Sequence, residues 1–136
     1  MYERLLITLV IMLFLGTILL LLKRRQFTLA NRASRQSNGQ TSKPTIVYFG
    51  SNGCAACKRT QKPVLEKILA EYGDEQLAFT AYDVDESPDI AKKWGVMTLP
   101  TTFVLDSAGA IKHVNNGLIV SENLRKQLEP LIAHVK

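Results

Sequence analysis

Cysteine and histidine are scarce in this chain of 136 residues, which contains two of each. A structural zinc site needs about four ligands, and Cys54 and Cys57 have no second cysteine pair to complete one. His113 lies on a predicted strand and His134 near the end of the last predicted helix, so they do not extend the pair. The sequence therefore predicts no metal site, and so few cysteines also exclude a disulfide-dense scaffold.

The predicted folded body also lacks an excess of positive charge. The net charge of +5 suggests a nucleic-acid binder until the charges are located. Residues 1–43 carry seven Lys or Arg and one acid, whereas residues 44–136 carry ten basic and eleven acidic side chains. Binding to nucleic acid needs a basic surface on the folded part, so we expect no nucleic-acid partner.

One long segment, residues 5–22, has no charge and is almost wholly apolar. As a helix it is about 27 Å long, close to the bilayer hydrocarbon thickness of about 30 Å. A buried core helix would show a polar stripe, and a cleavable signal peptide would have a shorter apolar region with positive charge before it. Here basic residues 23–25 follow at once, so residues 1–25 are predicted to be an uncleaved membrane anchor in contact with the lipid bilayer.

The distribution of Lys and Arg around this segment predicts its orientation. Arg4 precedes it, whereas residues 23–25, Arg32 and Arg35 follow it. Because basic residues favour the cytoplasmic side, we expect the body of this single-pass protein to face the cytoplasm of a bacterial plasma membrane. The extracytoplasmic side remains the alternative.

Residues 26–43 are rich in Gln, Asn, Ser, Thr and Arg and have almost no large apolar side chain. Such a composition cannot bury much surface, so it predicts a flexible basic and polar tether. Two alternatives stay open: the basic residues could rest on anionic headgroups, or Phe27–Leu29 could add a short strand.

Hydrophobic periodicity and turn signals in residues 44–136 predict the element order β-α-β-α-β-β-α. The predicted strands are 45–49, 77–84, 101–105 and 111–114, and the predicted helices are 54–72, 87–94 and 121–134. A helical crossover makes the first two strands parallel, and a hairpin at 106–109 adds antiparallel strands. The expected fold is therefore an α/β domain with a mixed sheet flanked by helices.

The two cysteines form the motif Cys54-Ala55-Ala56-Cys57 at the start of the first helix of the body. Free N–H groups and the positive end of the helix dipole favour a thiolate at Cys54. Cys57 lies one turn later on the same side, where it can resolve a mixed disulfide. Cys54 is the expected nucleophile and Cys57 the resolving thiol, while a structural disulfide or two inert thiols remain the alternatives.

The body resembles the thioredoxin family over residues 44–136. The resemblance rests on Ile46-Val47-Tyr48-Phe49, the Cys54-Ala55-Ala56-Cys57 motif, Asp83-Val84-Asp85, Lys93-Trp94-Gly95-Val96, Leu99-Pro100-Thr101 and Asn116-Gly117-Leu118. It implies a thioredoxin-like fold, with Pro100 in the cis form facing the cysteines. It also implies that Gly53, Leu99 and Pro100 bind substrate, with the Leu99 backbone pairing with an extended client strand.

The sequence departs from the family pattern at several positions of the site. Gly53 replaces the usual Trp before the first cysteine, which removes an aromatic lid. Tyr48 and Ala81 replace a buried acid and its partner lysine, so the usual proton acceptor for the resolving thiol is missing. Pro63 follows Cys57 by six residues instead of five, which predicts a displaced or bulged helix kink. The family's first strand and first helix have no clear counterpart.

These features predict a membrane-tethered thiol–disulfide oxidoreductase that acts on protein disulfides, with the direction of a reductant favoured. The resemblance implies no organic cofactor beyond the redox-active Cys54–Cys57 disulfide. Its partners would be disulfide-containing client proteins and an electron donor, either a thioredoxin-reductase-like flavoprotein or a membrane thiol shuttle. The alternative is a non-catalytic thioredoxin-like binding module at the membrane, and metal carriage by the two thiolates is a third possibility.

Overall fold

The computed structural model describes residues 2–37 and 42–133. Its elements are α1 (Tyr2–Ser37), β1 (Thr45–Gly50), a π-helical turn (Cys57–Gln61), α2 (Lys62–Gln76), β2 (Ala78–Asp83), α3 (Pro88–Lys93), β3 (Thr101–Leu105), β4 (Ile111–Asn116) and α4 (Ser121–Ala133). The predicted order β-α-β-α-β-β-α of the body is confirmed. Position 134, the predicted end of the last helix, lies outside the described residues.

The four strands form one mixed sheet in the order β2-β1-β3-β4. β1 is parallel to β2, whereas β3 is antiparallel to both β1 and β4, as the crossover and the hairpin predict. Phe49 pairs with Thr101, and Thr101 pairs with Asn116. We call this end of the sheet the Gly50 end, and the opposite end, where Leu105 pairs with Ile111, the hairpin end.

Alternate residues of each strand point to opposite sides of the sheet, and helices cover both sides. α2 and α4 cover one face and bury Ile46, Leu65, Ile68, Leu77, Val104, Ile119, Leu124 and Leu128. α3 and the carboxyl-terminal part of α1 cover the other face and bury Ala30, Ala33, Val47, Phe49, Ala91, Trp94, Phe103, Leu105 and Ile111. Aromatic packing dominates this second face, where Phe49 lies against Trp94 and Phe103 with ring centroids 5.7 Å away.

α1 corrects the prediction of a flexible tether over residues 26–43 for its part up to Ser37, whereas residues 38–41 of the predicted tether lie outside the described residues. The helix continues without interruption to Ser37, so residues 26–37 are neither a tether nor a strand at Phe27–Leu29. Gln26, Ala30, Ala33 and Ser34 lie on one side of this helix and are buried. Small side chains at this spacing let a helix approach a sheet closely, so burial here does not require large apolar residues.

Three sets of hydrogen bonds join α1 to the sheet. Gln26 and Asn116 exchange two amide hydrogen bonds of 3.0 and 3.1 Å, the Ile111 N–H donates to Asn31 Oδ1 at 3.0 Å, and the Ser34 hydroxyl donates to the Gly109 carbonyl at 2.5 Å. The carboxyl-terminal part of α1 is therefore an integral helix of the domain, which begins before the predicted boundary at residue 44.

The amino-terminal part of α1 has a different environment. The residues from Tyr2 to Arg25 are exposed, apart from the half-buried Gly16. Among the described residues, α1 is the one helix long and apolar enough to cross a membrane, with a mean hydropathy of 3.0 in its most apolar window. A single helix therefore contains both a candidate membrane span and a packed part of the domain.

Candidate active site

Cys54 and Cys57 form a disulfide at the Gly50 end of the sheet, with their Cα atoms 5.3 Å apart. The chain leaves β1 through a turn closed by the Cys54 N–H, which donates to the Ser51 carbonyl at 3.1 Å. Cys54 is half-buried, whereas Cys57 is only 3% exposed. This difference in exposure agrees with an attacking role for Cys54 and a resolving role for Cys57.

The start of the helix supplies a hydrogen bond to the sulfur of Cys54. The Cys57 N–H donates to Cys54 Sγ at 3.1 Å, and the Lys58 N–H donates to the Cys54 carbonyl at 3.2 Å. An amide donor and the helix dipole both favour negative charge on that sulfur once the disulfide is reduced. The local backbone therefore favours the attacking thiolate.

Two acidic residues, Asp83 at the end of β2 and Asp85 just after it, hold the turn that precedes Cys54. Asp83 accepts a hydrogen bond from the Asn52 N–H at 3.1 Å, and Asp85 accepts one from the Ser51 hydroxyl at 2.5 Å. The Asp85 N–H donates in turn to Asp83 at 2.9 Å. The acidic cluster therefore positions the cysteine turn, a role that sequence reasoning did not assign.

A π-helical turn from Cys57 to Gln61 follows the disulfide and confirms the bulge predicted from the position of Pro63. The extra residue between Cys57 and Pro63 widens one turn while the helix continues into α2. Such turns insert one residue into a helix and occur often at functional sites.

Gln61, at the end of this turn, is fully buried and binds the loop that follows β4. Its Oε1 accepts a hydrogen bond from the Ile119 N–H at 2.9 Å, and its Nε2 donates to the Ile119 carbonyl at 3.3 Å. One side chain thus satisfies both backbone groups of Ile119. Gln61 couples the active-site helix to this loop, and no sequence signal distinguished it from a solvated helix residue.

The Leu99–Pro100 peptide bond is cis, as the resemblance implies. Pro100 is buried, and its carbonyl accepts a hydrogen bond from the Gly117 N–H at 2.7 Å. Leu99 is half-buried and Gly53 is exposed. Because β3 begins at the Gly50 end, the structure brings the segment 99–100 to the same end of the sheet as the cysteines.

A cleft of about 580 Å³ opens beside Cys57 and is lined in part by Tyr48, Ala81, Lys58 and Asp83. Tyr48 and Ala81 are paired on β1 and β2, at the positions where the resemblance implies an acid and a lysine. Burial raises the pKa of Tyr48 above its ordinary value of 10.0, so its phenol stays protonated at neutral pH. The cleft therefore gives solvent a route toward Cys57, but Tyr48 is not a base.

Comparison with known proteins adds independent findings. The sequence model of the family described as Thioredoxin matches residues 27–130, a range that includes the packed part of α1. A thioredoxin of Mycolicibacterium smegmatis is 36% identical over 75 residues, which are 54% of this chain and 66% of that protein. A bifunctional thioredoxin reductase/thioredoxin of Mycobacterium leprae is 32% identical over 74 residues, which are 54% of this chain and 16% of that protein.

Solved structures show the same fold. A structure described as thioredoxin-2, a component of malaria parasite protein secretion machinery, matches with a TM-score of 0.60 and 23% identity. The match covers 65% of this chain and 82% of that chain.

Proposed function

The chain belongs to the thioredoxin family, and we propose that it is a thiol–disulfide oxidoreductase that α1 holds at a membrane. The observation that carries the proposal is the Cys54–Cys57 disulfide at the start of a helix, with the Cys57 N–H directed at Cys54 Sγ. The greater exposure of Cys54 than of Cys57 supports Cys54 as the residue that takes the first step. The redox-active group is this disulfide, and the proposed reaction requires no organic cofactor.

The proposed reaction passes two electrons to a client disulfide in two exchange steps. The Cys54 thiolate attacks one client sulfur, forms a mixed disulfide and releases the other client sulfur as a thiolate. Cys57 then attacks Cys54 Sγ, which closes the Cys54–Cys57 disulfide and releases the second client thiol. A partner dithiol reduces the disulfide by the reverse sequence.

The resolving step requires Cys57 to lose its proton. Because the phenol of Tyr48 is protonated, the acceptor is solvent in the cleft or the client thiolate released in the first step. Both are less well positioned than a buried carboxylate would be. We therefore expect resolution to be slower than in a relative that has the acid, with the overall activity retained.

We propose that an extended client segment binds across Gly53 and the cis segment Leu99–Pro100. Support comes from their shared position at the Gly50 end, the exposure of Gly53 and the partial exposure of Leu99. The Leu99 backbone would pair with the client. With glycine at position 53, a bulky client residue can approach the disulfide without an aromatic side chain in its way.

The proposed location and electron donor are supported by α1 and the charges around it. Residues 5–22 are proposed to cross a bacterial plasma membrane, with residues 23–25 at the cytoplasmic surface. A cytoplasmic domain would receive electrons from a thioredoxin-reductase-like flavoprotein, whereas an extracytoplasmic one would need a membrane thiol shuttle. The fused reductase of the Mycobacterium leprae relative supports the first donor.

Reduction of insulin disulfides by the full chain in detergent micelles, with dithiothreitol as donor, tests the proposal. Wild type should accelerate reduction, and Cys54→Ser should abolish the acceleration. Cys57→Ser should instead accumulate a mixed disulfide with insulin that dithiothreitol releases. Full activity in Cys54→Ser would contradict the proposed chemistry. Thr60→Ser, on the exposed side of the same π-helical turn, serves as the matched control.

A further inference from the structure

We infer that α1 fixes the domain with the Gly50 end of its sheet against the lipid surface, so that the client disulfide belongs to a membrane-proximal segment of an integral membrane protein. The inference rests on the proposed function, since it takes residues 5–22 as a membrane span and Cys54–Cys57 as the redox centre. It adds an orientation and a class of client.

α1 is continuous from the predicted span into the domain. The helix runs from Tyr2 to Ser37 without a break, so the predicted span and the packed part of the domain share one axis. Burial of Gln26, Ala30, Ala33 and Ser34 prevents the domain from rotating freely about that axis. Helices of this kind bend only gently unless a proline, a bulge or an inserted group kinks them. The domain is therefore held at a fixed angle to the membrane.

α1 contacts the Gly50 end of the sheet first and the hairpin end later along its length. Gln26, the first buried residue after the span, is bonded to Asn116 at the Gly50 end. Ser34, about 12 Å farther along the helix, is bonded to Gly109 beyond the hairpin end. Moving away from the membrane along α1 therefore means moving from the Gly50 end toward the hairpin end. The cysteine end of the domain is the membrane side.

The Gly50 end lies a short distance above the hydrocarbon core of the membrane. Gln26 lies four residues after residue 22, which is about 6 Å along the helix. The headgroup region extends about 5–8 Å beyond the hydrocarbon core on each side, so the Gln26–Asn116 contact lies within or beside it. The redox centre shares this end of the sheet and faces the lipid headgroups at short range.

The side chains around the Gly50 end agree with such a position. Met97, before the cis segment, is 60% exposed, and Leu118, after Gly117, is 54% exposed. Val120 is exposed as well. Exposed apolar side chains near a headgroup layer favour contact with an apolar client segment as it leaves the bilayer. A client of this kind has apolar residues beside its disulfide.

The orientation is tested without reference to activity by depth-dependent fluorescence quenching. The full chain, with both cysteines changed to serine, carries Met97→Cys at the Gly50 end or Ala108→Cys at the hairpin end, each labelled with the same fluorophore. The chain is placed in phosphatidylcholine–phosphatidylglycerol vesicles that contain a headgroup-nitroxide lipid. We expect strong quenching at position 97 and little at 108. Equal quenching, or stronger quenching at 108, overturns the inference.

Two insertions separate orientation from simple proximity. A ten-residue Gly/Ser segment inserted after Arg25 leaves residues 26–37 with the domain but uncouples them from the span, so the difference between positions 97 and 108 should be lost. The same segment inserted after Ser37 lies beyond the packed part of α1 and should preserve it. Loss of the difference with both insertions, or with neither, contradicts a fixed orientation set by α1.

The client class is tested with two engineered membrane helices. One carries a disulfide-closed loop directly after its span, and the other carries it after a rigid helical spacer of about 30 Å. Pre-reduced full chain in the same vesicles should reduce the near loop at least about tenfold faster, because only that loop can reach the redox centre. Equal or faster reduction of the far loop overturns the inference. If insulin is not reduced either, the proposed function fails instead.

Discussion

Replacing Gln61 by methionine tests the coupling between the active-site helix and the loop after β4. Gln61 is fully buried, and its amide pairs with both the N–H and the carbonyl of Ile119. Methionine is similar in volume, so the variant removes two hydrogen bonds without opening a large cavity. The two backbone groups of Ile119 would then be buried without their partner.

The expected loss follows from those two groups. Stranding a buried donor or acceptor costs about 1–3 kcal/mol. The hydrogen bond to the Ile119 N–H is 2.9 Å long, so its loss should carry the full cost. The hydrogen bond to the Ile119 carbonyl is 3.3 Å long, so its loss should lower the free energy of unfolding by less. The burial of an apolar side chain returns part of the loss, so we expect a decrease of about 2–3 kcal/mol in the free energy of unfolding.

Urea unfolding of the full chain in detergent micelles, followed by the fluorescence of Trp94, measures this loss. Trp94 is the single tryptophan of the chain and is 1% exposed between Phe49 and Phe103, so it reports on the core. With an m-value of about 1–3 kcal/mol/M, the midpoint should fall by about 0.7–3 M.

A matched control makes this result decisive. Gln127 exchanges amide hydrogen bonds with Asn115 in a half-buried position, where water can replace the lost partner. Gln127→Met should therefore cost less than about 1 kcal/mol. If Gln61→Met is no more destabilising than this control, the two bonds to Ile119 do not stabilise the loop in the way argued.

Three further predictions concern single groups. Tyr48→Phe should leave the rate of insulin reduction unchanged within about twofold, because burial raises the pKa of Tyr48 and keeps it protonated; a large decrease would show that the hydroxyl takes part in the resolution by Cys57. Partial burial acts to raise the pKa of Asp106, but hydrogen bonds, first that from the Ala110 N–H, outweigh this effect and lower the pKa. The ionised carboxylate therefore stabilises the folded state above its unfolded pKa of about 4, and this stability is lost as the pH falls through the lower folded pKa. Urea unfolding at pH 7 and pH 3 should thus show a smaller acid-induced loss in Asp106→Asn than in wild type, and parallel losses would contradict this. The buried hydroxyl of Thr102 finds no hydrogen-bond partner among the described residues, so Thr102→Val should raise the free energy of unfolding by about 1 kcal/mol, and a loss in the same unfolding assay would show that the hydroxyl is satisfied.

The body of the domain could be predicted because its local signals agree with one another. Near-continuous burial along β1 and β3 matches a sheet that is covered on both faces, and the hairpin at Asp106 follows its turn residues. The cysteine motif was placed correctly because a strand, a turn and a helix meet there. The cis form of Pro100 came from the family resemblance, since X-Pro bonds are rarely cis.

The packed part of α1 could not be predicted in the same way. Its buried residues are Gln26, Ala30, Ala33 and Ser34, none of which is a large apolar residue. A search for hydrophobic periodicity gives such a stripe little weight, and the polar composition around it indicates disorder. The amide of Gln26 is nevertheless satisfied by Asn116, and the hydroxyl of Ser34 by Gly109, so burial leaves neither side chain without a partner.

Gln61 escaped prediction for a related reason. The position of Pro63 indicates an extra residue in the helix, and the structure places that residue in a π-helical turn. Sequence spacing shows that a turn must widen, but it does not show which side chain the wider turn directs inward. Here that side chain is Gln61, which forms hydrogen bonds with the N–H and the carbonyl of Ile119, a residue remote in sequence.

The difference between a tether and a continuous helix decides which clients the redox centre can meet. A flexible linker of the 18 residues from 26 to 43 would have a root-mean-square length of about 23 Å, so the domain would rotate freely and reach soluble and membrane-bound disulfides alike. A helix that packs against the domain from Gln26 onward removes that freedom. The chain then gives up access to distant disulfides and gains a high effective concentration at one height above the bilayer. The higher effective concentration at this one height favours a client whose own disulfide is fixed at the same height above the bilayer.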